Sequence, residues 1–419
     1  MKTLALCWTR NPAPAYKPCR PPNRKPNNGV WKSRNNMNAF LITNICAVTP
    51  EKTLEKAVIW VEDGRIKQVC EKSELPSTAN ALPKIDGKNT FALPGFIDLH
   101  IHGFAGFGVE TGNAQDLLAM SAELGKHGVT AFTPTLYCGQ PEDMARLLRL
   151  LSPALGKETG AKILGFHLEG PFISPAKPGV MKPQDIAPAN LEVLKNLYEA
   201  SNGKIVSMTL APELPGIEPI IEFCRSHGIL LQAGHTNATY EEFALGAARG
   251  VTHATHLFNA MSPFTQRAPG ASGAVLMNPG ISCEIIADGV HVHPDIVGFL
   301  RTVKPVENII LVTDALRPTG QEKGPFLANG EEVVLSGGVW KRKADNVIAG
   351  SALTMARGVK NLVDFGYTLP QASLCACANP ARLLGLSHTG RLEAGYSADI
   401  VLLGSDFTPL KTFIQGKEI

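Results

Sequence analysis

The fold is decided by a stretch in which apolar and polar residues alternate, Phe96-Ile97-Asp98-Leu99-His100-Ile101-His102. It opens a series of short apolar runs that are separated by amphipathic stretches with helical spacing. The eight runs span residues 96–101, 128–133, 163–168, 205–210, 229–233, 251–256, 281–287 and 309–313. Strands that alternate with helices are typical of parallel βαβ units, and eight of them favour a closed barrel over an open doubly wound sheet.

The two ends of the chain have a different pattern of short strands and turns. Residues 39–48 and 56–70 precede the barrel pattern, and 398–406 and 410–419 follow it. Asp63-Gly64 predicts a hairpin turn, because this pair readily takes positive φ between two strands. We therefore predict an α/β protein with a TIM-like (β/α)8 barrel over 94–388. Residues 38–93 and 389–419 are expected to form a small β-sandwich domain.

The first 36 residues are unlike the rest of the chain. They contain eight Lys or Arg residues, six Pro residues and no acidic residue. A transit peptide would be basic but should form an amphipathic helix, which the prolines oppose, and the apolar stretch 4–7 is too short for a signal peptide. We favour a disordered basic tail, or an upstream start with Met37 as the true first residue.

Composition excludes several classes of function. The net charge of +3 gives no general reason to expect nucleic acid or an anionic membrane as partner. No apolar run reaches the roughly 18 residues needed to cross a bilayer. The nine cysteines are scattered and lack paired CxxC spacing, which indicates a reducing compartment, so we expect a cytoplasmic location.

Polar residues collect at the carboxyl-terminal ends of the apolar runs, where barrel enzymes hold their active sites. His100 and His102 point the same way because side chains alternate along a strand. Further polar residues close later runs, namely Glu169, His235, His256 and Asp314. Imidazole and carboxylate groups suit Zn²⁺ or Fe²⁺. The pattern therefore predicts a divalent metal site.

Each of these residues has a simpler explanation when taken alone. A histidine at a strand end is more often structural than a ligand, and Asp314 could cap the following helix. Their shared position at the ends of several strands favours the metal site. Two further histidines, His167 and His253, could either support the ligands from behind or serve packing.

Several longer motifs give the sequence a family resemblance. They are PGFIDLHIHG (94–103), FHLEGPFISPAKPG (166–179), TLAPE (209–213), AGHTNATY (233–240), THLFNAMSPFTQRAPG (255–270), IADGVHVHP (286–294), VTDA (312–315) and AGSALTM (349–355). From about residue 38 to the carboxyl terminus, the sequence resembles the N-acetylglucosamine-6-phosphate deacetylases of the amidohydrolase superfamily.

The resemblance implies a role for each matching residue. Glu169, His235 and His256 would hold the principal metal, and Asp314 would be the catalytic acid and base. His100 and His102 would hold a second ion, with Glu169 bridging, so that each subunit carries one or two Zn²⁺ or Fe²⁺ ions. The sugar-phosphate site would be lined by Val180, Met181, Asn259, Ala260, Arg267, Asp288, Gly289, Val290, His291, Ile348, Ala349 and Gly350.

The resemblance also gives three of these residues a specific task. His291 would stabilise the oxyanion together with the metal. Arg267 is suited to binding the phosphate, because a guanidinium group can donate two parallel hydrogen bonds to a phosphate. The alternative interpretation of Arg267 is an ordinary surface ion pair. In similar enzymes this arginine reaches the neighbouring subunit, which implies a homodimer or a dimer-based oligomer. The backbone N–H groups of Asn259 and Ala260 are further candidates for the phosphate.

One position departs from the family pattern. After HLEGPFISPAK many relatives have a histidine that helps hold the substrate, and this chain has Met181 there. A thioether neither donates a hydrogen bond nor carries charge. The departure leaves the substrate preference at this point open.

The resemblance implies hydrolysis of N-acetyl-D-glucosamine 6-phosphate to D-glucosamine 6-phosphate and acetate. One alternative is a related amidohydrolase that acts on another N-acetyl aminosugar or on a cyclic amide. The other is a barrel without catalysis that serves as an interaction protein, and the complete set of candidate ligands weighs against it.

Overall fold

The computed structural model describes residues 38–324 and 326–419. The predictions for residues 1–36 and for Met37 therefore lie outside the described part of the chain. Within that part, no helix combines the length and the apolar character needed to cross a membrane.

Eight parallel strands form a nearly closed barrel and pair with one another in chain order. The barrel strands are Phe96–Ile101, Val129–Leu136, Phe166–Glu169, Ile205–Leu210, Leu230–Ala233, His253–Ala254, Ser282–Ile286 and Ile309–Val312, and the short strand Lys162–Ile163 pairs beside the second of them. The predicted barrel is confirmed. Its sixth strand is shorter than the predicted run of 251–256, and two residues beyond its end the backbone has a φ of 27° at His256.

Helices follow the strands and cover the barrel with their apolar faces. In Ala114–Lys126 the buried residues include Leu117, Met120 and Leu124, whose three- and four-residue spacing places them on one face. The helices are Ala114–Lys126, Pro141–Leu151, Leu191–Ala200, Glu218–Ser226, Tyr240–Arg249, Gly270–Met277, Pro294–Val303, Met355–Asp364, Leu369–Ser373 and Asn379–Leu383.

The barrel closes where its first strand meets the end of its eighth. Asp98 is buried and accepts hydrogen bonds from the hydroxyl of Thr313 at 2.6 Å and from its backbone N–H at 3.2 Å. The N–H of Asp314 donates to the carbonyl of His100 at 2.8 Å. These bonds place Asp314 beside the His100 segment, so the closure of the barrel also aligns two candidate ligands.

A seven-stranded sheet forms from both ends of the chain, and this confirms the small β domain. Its strands are Ala39–Val48, Thr53–Glu62, Arg65–Glu71, Lys84–Pro94, Ile400–Leu403, Pro409–Ile414 and Lys417–Glu418. The predicted hairpin turn is present, with φ values of 49° at Asp63 and 73° at Gly64. The exact domain limits at 93/94 and 388/389 stay predictions.

A four-stranded antiparallel sheet, which the sequence analysis did not anticipate, follows the eighth barrel strand. It comprises Leu327–Ala328, Glu331–Ser336, Val339–Arg342 and Ile348–Ser351. Trp340 is buried in it, packs against Phe326, and donates its indole N–H to the Thr319 hydroxyl at 3.0 Å. The sheet brings residues 348–350 to the carboxyl-terminal face of the barrel, because Ser351 N–H donates to the carbonyl of Asp314.

A buried lysine donates hydrogen bonds to backbone carbonyls of the connection that leads to the seventh barrel strand. Lys304 is only 3% exposed, and its ammonium donates to the carbonyls of Val275 at 3.0 Å, Asn278 at 2.6 Å and Ile281. These carbonyls lie at the end of the helix Gly270–Met277 and just before the strand. The ammonium thus pairs with the carbonyl of Val275, in the last turn of the helix, and with two carbonyls of the connection that follows it.

We expect Lys304→Met to lower the free energy of unfolding by about 1–3 kcal/mol, because buried carbonyls would lose a charged donor. Thermal and urea denaturation of the variant would measure the loss. Lys360→Met is the control, since that lysine pairs with Asp364 on the surface and exposed pairs contribute little. Equal stability of the two variants would show that the Lys304 bonds contribute nothing.

Candidate active site

The predicted metal ligands all lie at the carboxyl-terminal face of the barrel. Glu169 ends the third strand, and His235, His256 and Asp314 each lie two residues beyond the fifth, sixth and eighth. All of them are buried, as are the predicted ligands of the first strand. Parallel strands of a closed barrel direct their ends to one face, and this brings distant parts of the sequence together.

The carboxylate of Glu169 lies between four imidazole rings. Its Oε1 is 3.1 Å from Nε2 of both His235 and His256. The same oxygen is 3.5 Å from Nε2 of His100, and Oε2 is 3.4 Å from Nε2 of His102. One side chain therefore links two groups of candidate ligands.

Asp314 completes the second group. Its Oδ1 lies 3.3 Å from Nε2 of His102 and 3.7 Å from Nε2 of His100. The candidate ligands form two groups of three: His100, His102 and Asp314, and Glu169, His235 and His256. Within each group the ligand atoms lie within 4.8 Å of one another. The structure thus brings all the predicted ligands together.

These residues fit a divalent metal ion. Nε2 of His100 is buried, points at two carboxylates and makes no hydrogen bond among the described residues. Burial alone would raise the pKa of Glu169, but the surrounding histidines favour its ionised form and hold this pKa well below its usual value. Ionised oxygens and free imidazole nitrogens are the donors that such ions prefer.

Three of these residues have a backbone conformation that side chains rarely adopt. The φ values are 47° at His235, 27° at His256 and 50° at Asp314. A left-handed residue other than glycine costs about 1–3 kcal/mol and persists only where its surroundings hold it. At Asp314 both backbone groups are engaged, one by His100 and one by Ser351. These backbone conformations direct each of the three side chains towards the centre of the barrel face.

Backbone carbonyls fix the orientation of two of the imidazoles. Nδ1 of His235 lies 3.1 Å from the carbonyl of Lys177, and Nδ1 of His102 lies 3.0 Å from the carbonyl of Thr135. A carbonyl can only accept, so each Nδ1 carries the proton and Nε2 is free for a cation. His102 is also stacked on Tyr137, with ring centroids 3.8 Å apart.

The two histidines left open by the sequence lie behind the ligands. His167 uses both ring nitrogens, at 3.1 Å from the hydroxyl of Thr135 and 2.9 Å from that of Thr209. Burial lowers the pKa of His167 to about 3, so the ring is neutral. His253 contacts the hydroxyl of Ser282 at 2.7 Å. We conclude that His167 has a packing role behind the ligands, because both of its ring nitrogens are engaged and neither is free for an ion.

A cavity of about 240 Å³ opens over the candidate ligands. Nine residues of the predicted sugar-phosphate site line it: Val180, Met181, Asn259, Ala260, Val290, His291, Ile348, Ala349 and Gly350. Met181 is 6% exposed and packs on Cys138 and Ile173, so the position that departs from the family pattern forms an apolar part of the wall.

Three residues predicted to line the site are not in the wall of this cavity: Arg267, Asp288 and Gly289. Asp288 turns away from the cavity because its carboxylate binds the imidazole of His291, and Gly289 forms the turn between them with a φ of 79°. Arg267 lies exposed in the loop that precedes the helix Gly270–Met277. Their predicted contact with the substrate therefore stays a prediction, and in the single chain they do not line the cavity.

The Asp288 contact sets the charge of His291. Nδ1 of His291 lies 2.6 Å from Oδ2 of Asp288, while Oδ1 accepts the N–H groups of Val290 and His291. Burial lowers the pKa of His291, but the hydrogen bond and the charge of Asp288 raise it by more, to above its usual value. The ring therefore favours the protonated form and presents Nε2–H as a donor.

The backbone at Asn259 differs from the sequence-based expectation. Its N–H donates to the carbonyl of His256 at 3.0 Å and is not free for a phosphate. The N–H of Ala260 has no hydrogen-bond partner among the described residues, and the φ of this residue is 50°. Only one of the two predicted backbone donors is therefore available.

Sequence reasoning missed several residues of the cavity wall. They are Tyr137, Gly179, Lys182, Leu316, Ala328, Asn329, Glu331, Val333 and Arg342. Arg342 donates to the carbonyl of Val180 at 3.2 Å and pairs with Asp345 at 2.6 Å, while Lys182 pairs with Glu331 at 2.8 Å. Four of the nine missed residues, Ala328, Glu331, Val333 and Arg342, belong to the four-stranded sheet, which the barrel pattern did not predict.

Comparisons with known proteins agree with this geometry. The model of the amidohydrolase family matches residues 91–419. The N-acetylglucosamine-6-phosphate deacetylase of Lysinibacillus sphaericus is 31% identical over 382 residues, which cover 90% of this chain and 97% of the relative. The N-acetylgalactosamine-6-phosphate deacetylase of Escherichia coli O157:H7 is 32% identical over 77% of this chain and 86% of the relative.

A solved structure shows the same fold. The crystal structure of N-acetylglucosamine-6-phosphate deacetylase from Pasteurella multocida matches with a TM-score of 0.84 and 30% sequence identity, over 91% of this chain and 99% of that one. The match includes the small β domain as well as the barrel. The chain belongs to the N-acetylglucosamine-6-phosphate deacetylase family of the amidohydrolases.

Proposed function

We propose that the protein hydrolyses N-acetyl-D-glucosamine 6-phosphate to D-glucosamine 6-phosphate and acetate. The observation that carries this proposal is the carboxylate of Glu169, which lies 3.1 Å from two imidazoles at the floor of a cavity. Relatives with at least 30% identity over nearly their whole length carry the name of this activity. Asp314, the proposed acid and base, lies beside the same group.

We further propose that each subunit holds one or two Zn²⁺ or Fe²⁺ ions. Glu169, His235 and His256 form the first position, and His100 with His102 forms the second, next to Asp314. A bound divalent ion supplies Lewis acidity, which activates water for attack and polarises an amide carbonyl.

Asp314 moves the protons of the reaction. Burial alone would raise the pKa of Asp314, but the neighbouring His100 and His102 favour its ionised form and hold this pKa below its usual value, so the carboxylate can accept a proton. It takes one from the attacking water as the new C–O bond forms, and delivers it to the sugar nitrogen as the C–N bond breaks. His291, protonated through Asp288, donates to the developing oxyanion.

Arg267 serves the neighbouring subunit in this proposal. It lies in an exposed loop together with Phe264, which is 50% exposed. The adjoining helices Gly270–Met277 and Pro294–Val303 expose Met277 and Phe299. Exposed large apolar side chains are common at protein interfaces. A homodimer through this face would carry the guanidinium to a partner's phosphate site.

We propose a reducing compartment, the cytoplasm, as the location. The seven cysteines of the described part of the chain are free thiols, and six of them are buried. Burial raises the pKa of Cys224 and of Cys283 to about 12, so these thiols stay protonated and unreactive.

We expect Glu169→Gln to abolish bound metal and deacetylase activity together, because a neutral amide replaces the shared anionic ligand. Elemental analysis of the purified protein and assay of acetate release measure both. Asp314→Asn is the matched control, which should retain metal at the Glu169 group and lose activity. Turnover by the metal-free Glu169→Gln protein would refute the proposal.

The same assay distinguishes the alternative substrates. We expect N-acetylglucosamine 6-phosphate to be hydrolysed faster than N-acetylgalactosamine 6-phosphate and than the sugar without phosphate. A preference for the galacto compound would favour the second activity named among the relatives.

We expect kcat/KM to fall as the pH rises through the raised pKa of His291, because the donor proton is lost above it. The profile is best measured above about pH 7, where a sugar phosphate is fully ionised. Asp288→Asn keeps an acceptor for the backbone but removes the charge, so the fall should begin at lower pH. Identical profiles for the two proteins would show that this pair does not control the proton.

We expect Arg267→Ala to raise KM by the equivalent of about 1–3 kcal/mol and to leave kcat nearly unchanged, since a charge-assisted hydrogen bond to the substrate is lost. Steady-state kinetics measure the effect, with Arg249→Ala as control because that arginine pairs with Glu218 on the surface.

Mixing subunits tests whether Arg267 acts on the partner. A heterodimer of Arg267→Ala and Glu169→Gln subunits has one site with both native residues if the arginine acts across the interface. Co-refolded mixtures should then regain a low KM in a fraction of sites. Mixtures that keep the raised KM would place the phosphate contact within one chain.

A further inference from the structure

Glu284 is a buried carboxylate that no step of the proposed reaction uses. It lies in the middle of the seventh barrel strand, Ser282–Ile286, and is 0% exposed. The other residues of that strand are apolar or small. An ionised carboxylate in such a place lowers stability unless charged or polar groups compensate it.

A single oxygen of Glu284 contacts both candidate metal groups. Oε2 lies 3.0 Å from Nδ1 of His100, which belongs to the group with Asp314. The same oxygen accepts the backbone N–H of His256 at 3.1 Å, and His256 belongs to the group with Glu169. Oε1 makes no hydrogen bond to any residue that the structure describes, and it lies 3.6 Å from Nε2 of His253.

The contact with His100 determines which nitrogen faces the cavity floor. A carboxylate only accepts hydrogen bonds, so Nδ1 of His100 must carry a proton, and Nε2 is the nitrogen left to bind a cation. That Nε2 is the atom directed at Glu169 and Asp314. An anionic partner also makes the imidazole a stronger donor to a cation than a carbonyl partner would.

The contact with His256 supports a strained residue. His256 has a φ of 27°, which its own side chain disfavours, and the bond from its N–H to Glu284 is one of those that hold it there. The carboxylate therefore fixes a ring in one group and a backbone in the other. A shift of Glu284 would displace both.

The negative charge of Glu284 also bears on whether a second cation can bind. Glu169, Asp314 and Glu284 supply three negative charges around the two groups. One divalent ion leaves a net charge of −1 in this buried region, and two ions leave +1, before any bound water loses a proton. The third carboxylate thus compensates part of the repulsion that a second cation meets.

We propose that Glu284 is a positioning residue that couples the two metal positions, so that an ion in one strengthens binding in the other. The coupling runs through one oxygen, from the ring of His100 to the backbone of His256. This inference rests on the proposed function, which assigns metal ions to these groups.

Metal titration of Glu284→Gln tests the coupling. Metal-free protein is titrated with Zn²⁺ against a chelator of known affinity, and metal content is measured after dialysis. We expect wild type to bind two equivalents with positive cooperativity. In the variant the second equivalent should bind about 10–100-fold more weakly, the range found when a carboxylate behind a ligand is removed, and the cooperativity should vanish.

Two further variants keep the test decisive. Glu284→Asp retains the charge but withdraws the oxygen by one methylene, so it should show an intermediate loss even if the glutamine variant fails to fold. Asp399→Asn removes a carboxylate of the small β domain, which accepts the N–H of Gln415, and should bind Zn²⁺ as wild type does. The visible absorption of bound Co²⁺ should change in the Glu284 variants only.

Separate outcomes bear on the two proposals. A single equivalent in wild type, or unchanged Zn²⁺ affinity and cooperativity in folded Glu284→Asp, would overturn the coupling and leave the proposed function intact. Metal-independent deacetylation by Glu169→Gln would overturn the proposed function itself.

Discussion

One carboxylate held among four imidazoles is the constraint on which the site depends. Glu169 has to stay within 3.1–3.5 Å of four histidine nitrogens that come from three other barrel strands. Such a cluster is stable in a buried place only when charge is compensated and each ring has one orientation. The imidazoles around the carboxylates, and the cations that we propose for them, meet the first need, and the hydrogen-bond partners at Nδ1 of His100, His102 and His235 meet the second.

The scaffold meets this constraint by local strain and by long-range bonds. His235, His256 and Asp314 turn into left-handed conformations directly after their strands, and this redirects side chains that a regular strand would point elsewhere. The seam at Asp98 and Thr313 resists the strain, because it locks the first strand to the eighth. The geometry of the cluster thus depends both on the regular barrel and on a few residues with left-handed backbone.

Much of the fold and of the ligand set could be predicted from local pattern. The two-residue period of a strand was enough to place His100 and His102 on one side, and apolar runs marked the strands. The left-handed backbone at His256 could not be predicted, because this conformation is uncommon for any residue with a side chain. The sixth strand is also shorter than its apolar run.

Two features were missed although the sequence held a signal for them. Glu284 is the only charged residue in a run that is otherwise apolar or small, and a lone charge in a buried strand indicates a buried partner. Gly337-Gly338 lies between Ser336 and Val339, which pair across a two-residue hairpin. That turn signal would have revealed the four-stranded sheet and with it Arg342. Arg267 differs, because one chain alone does not contain the site that we propose for it.

The sheet built from both chain ends has a consequence for biosynthesis. Lys84–Pro94 is made early, yet one of its two neighbours is Ile400–Leu403, with Pro94 opposite Ile400. While the ribosome is still translating the barrel, that edge has no partner, and an open edge invites pairing with other chains. That edge is therefore covered only after Ile400–Leu403 has been synthesised, and until then it has to be kept from pairing with other chains.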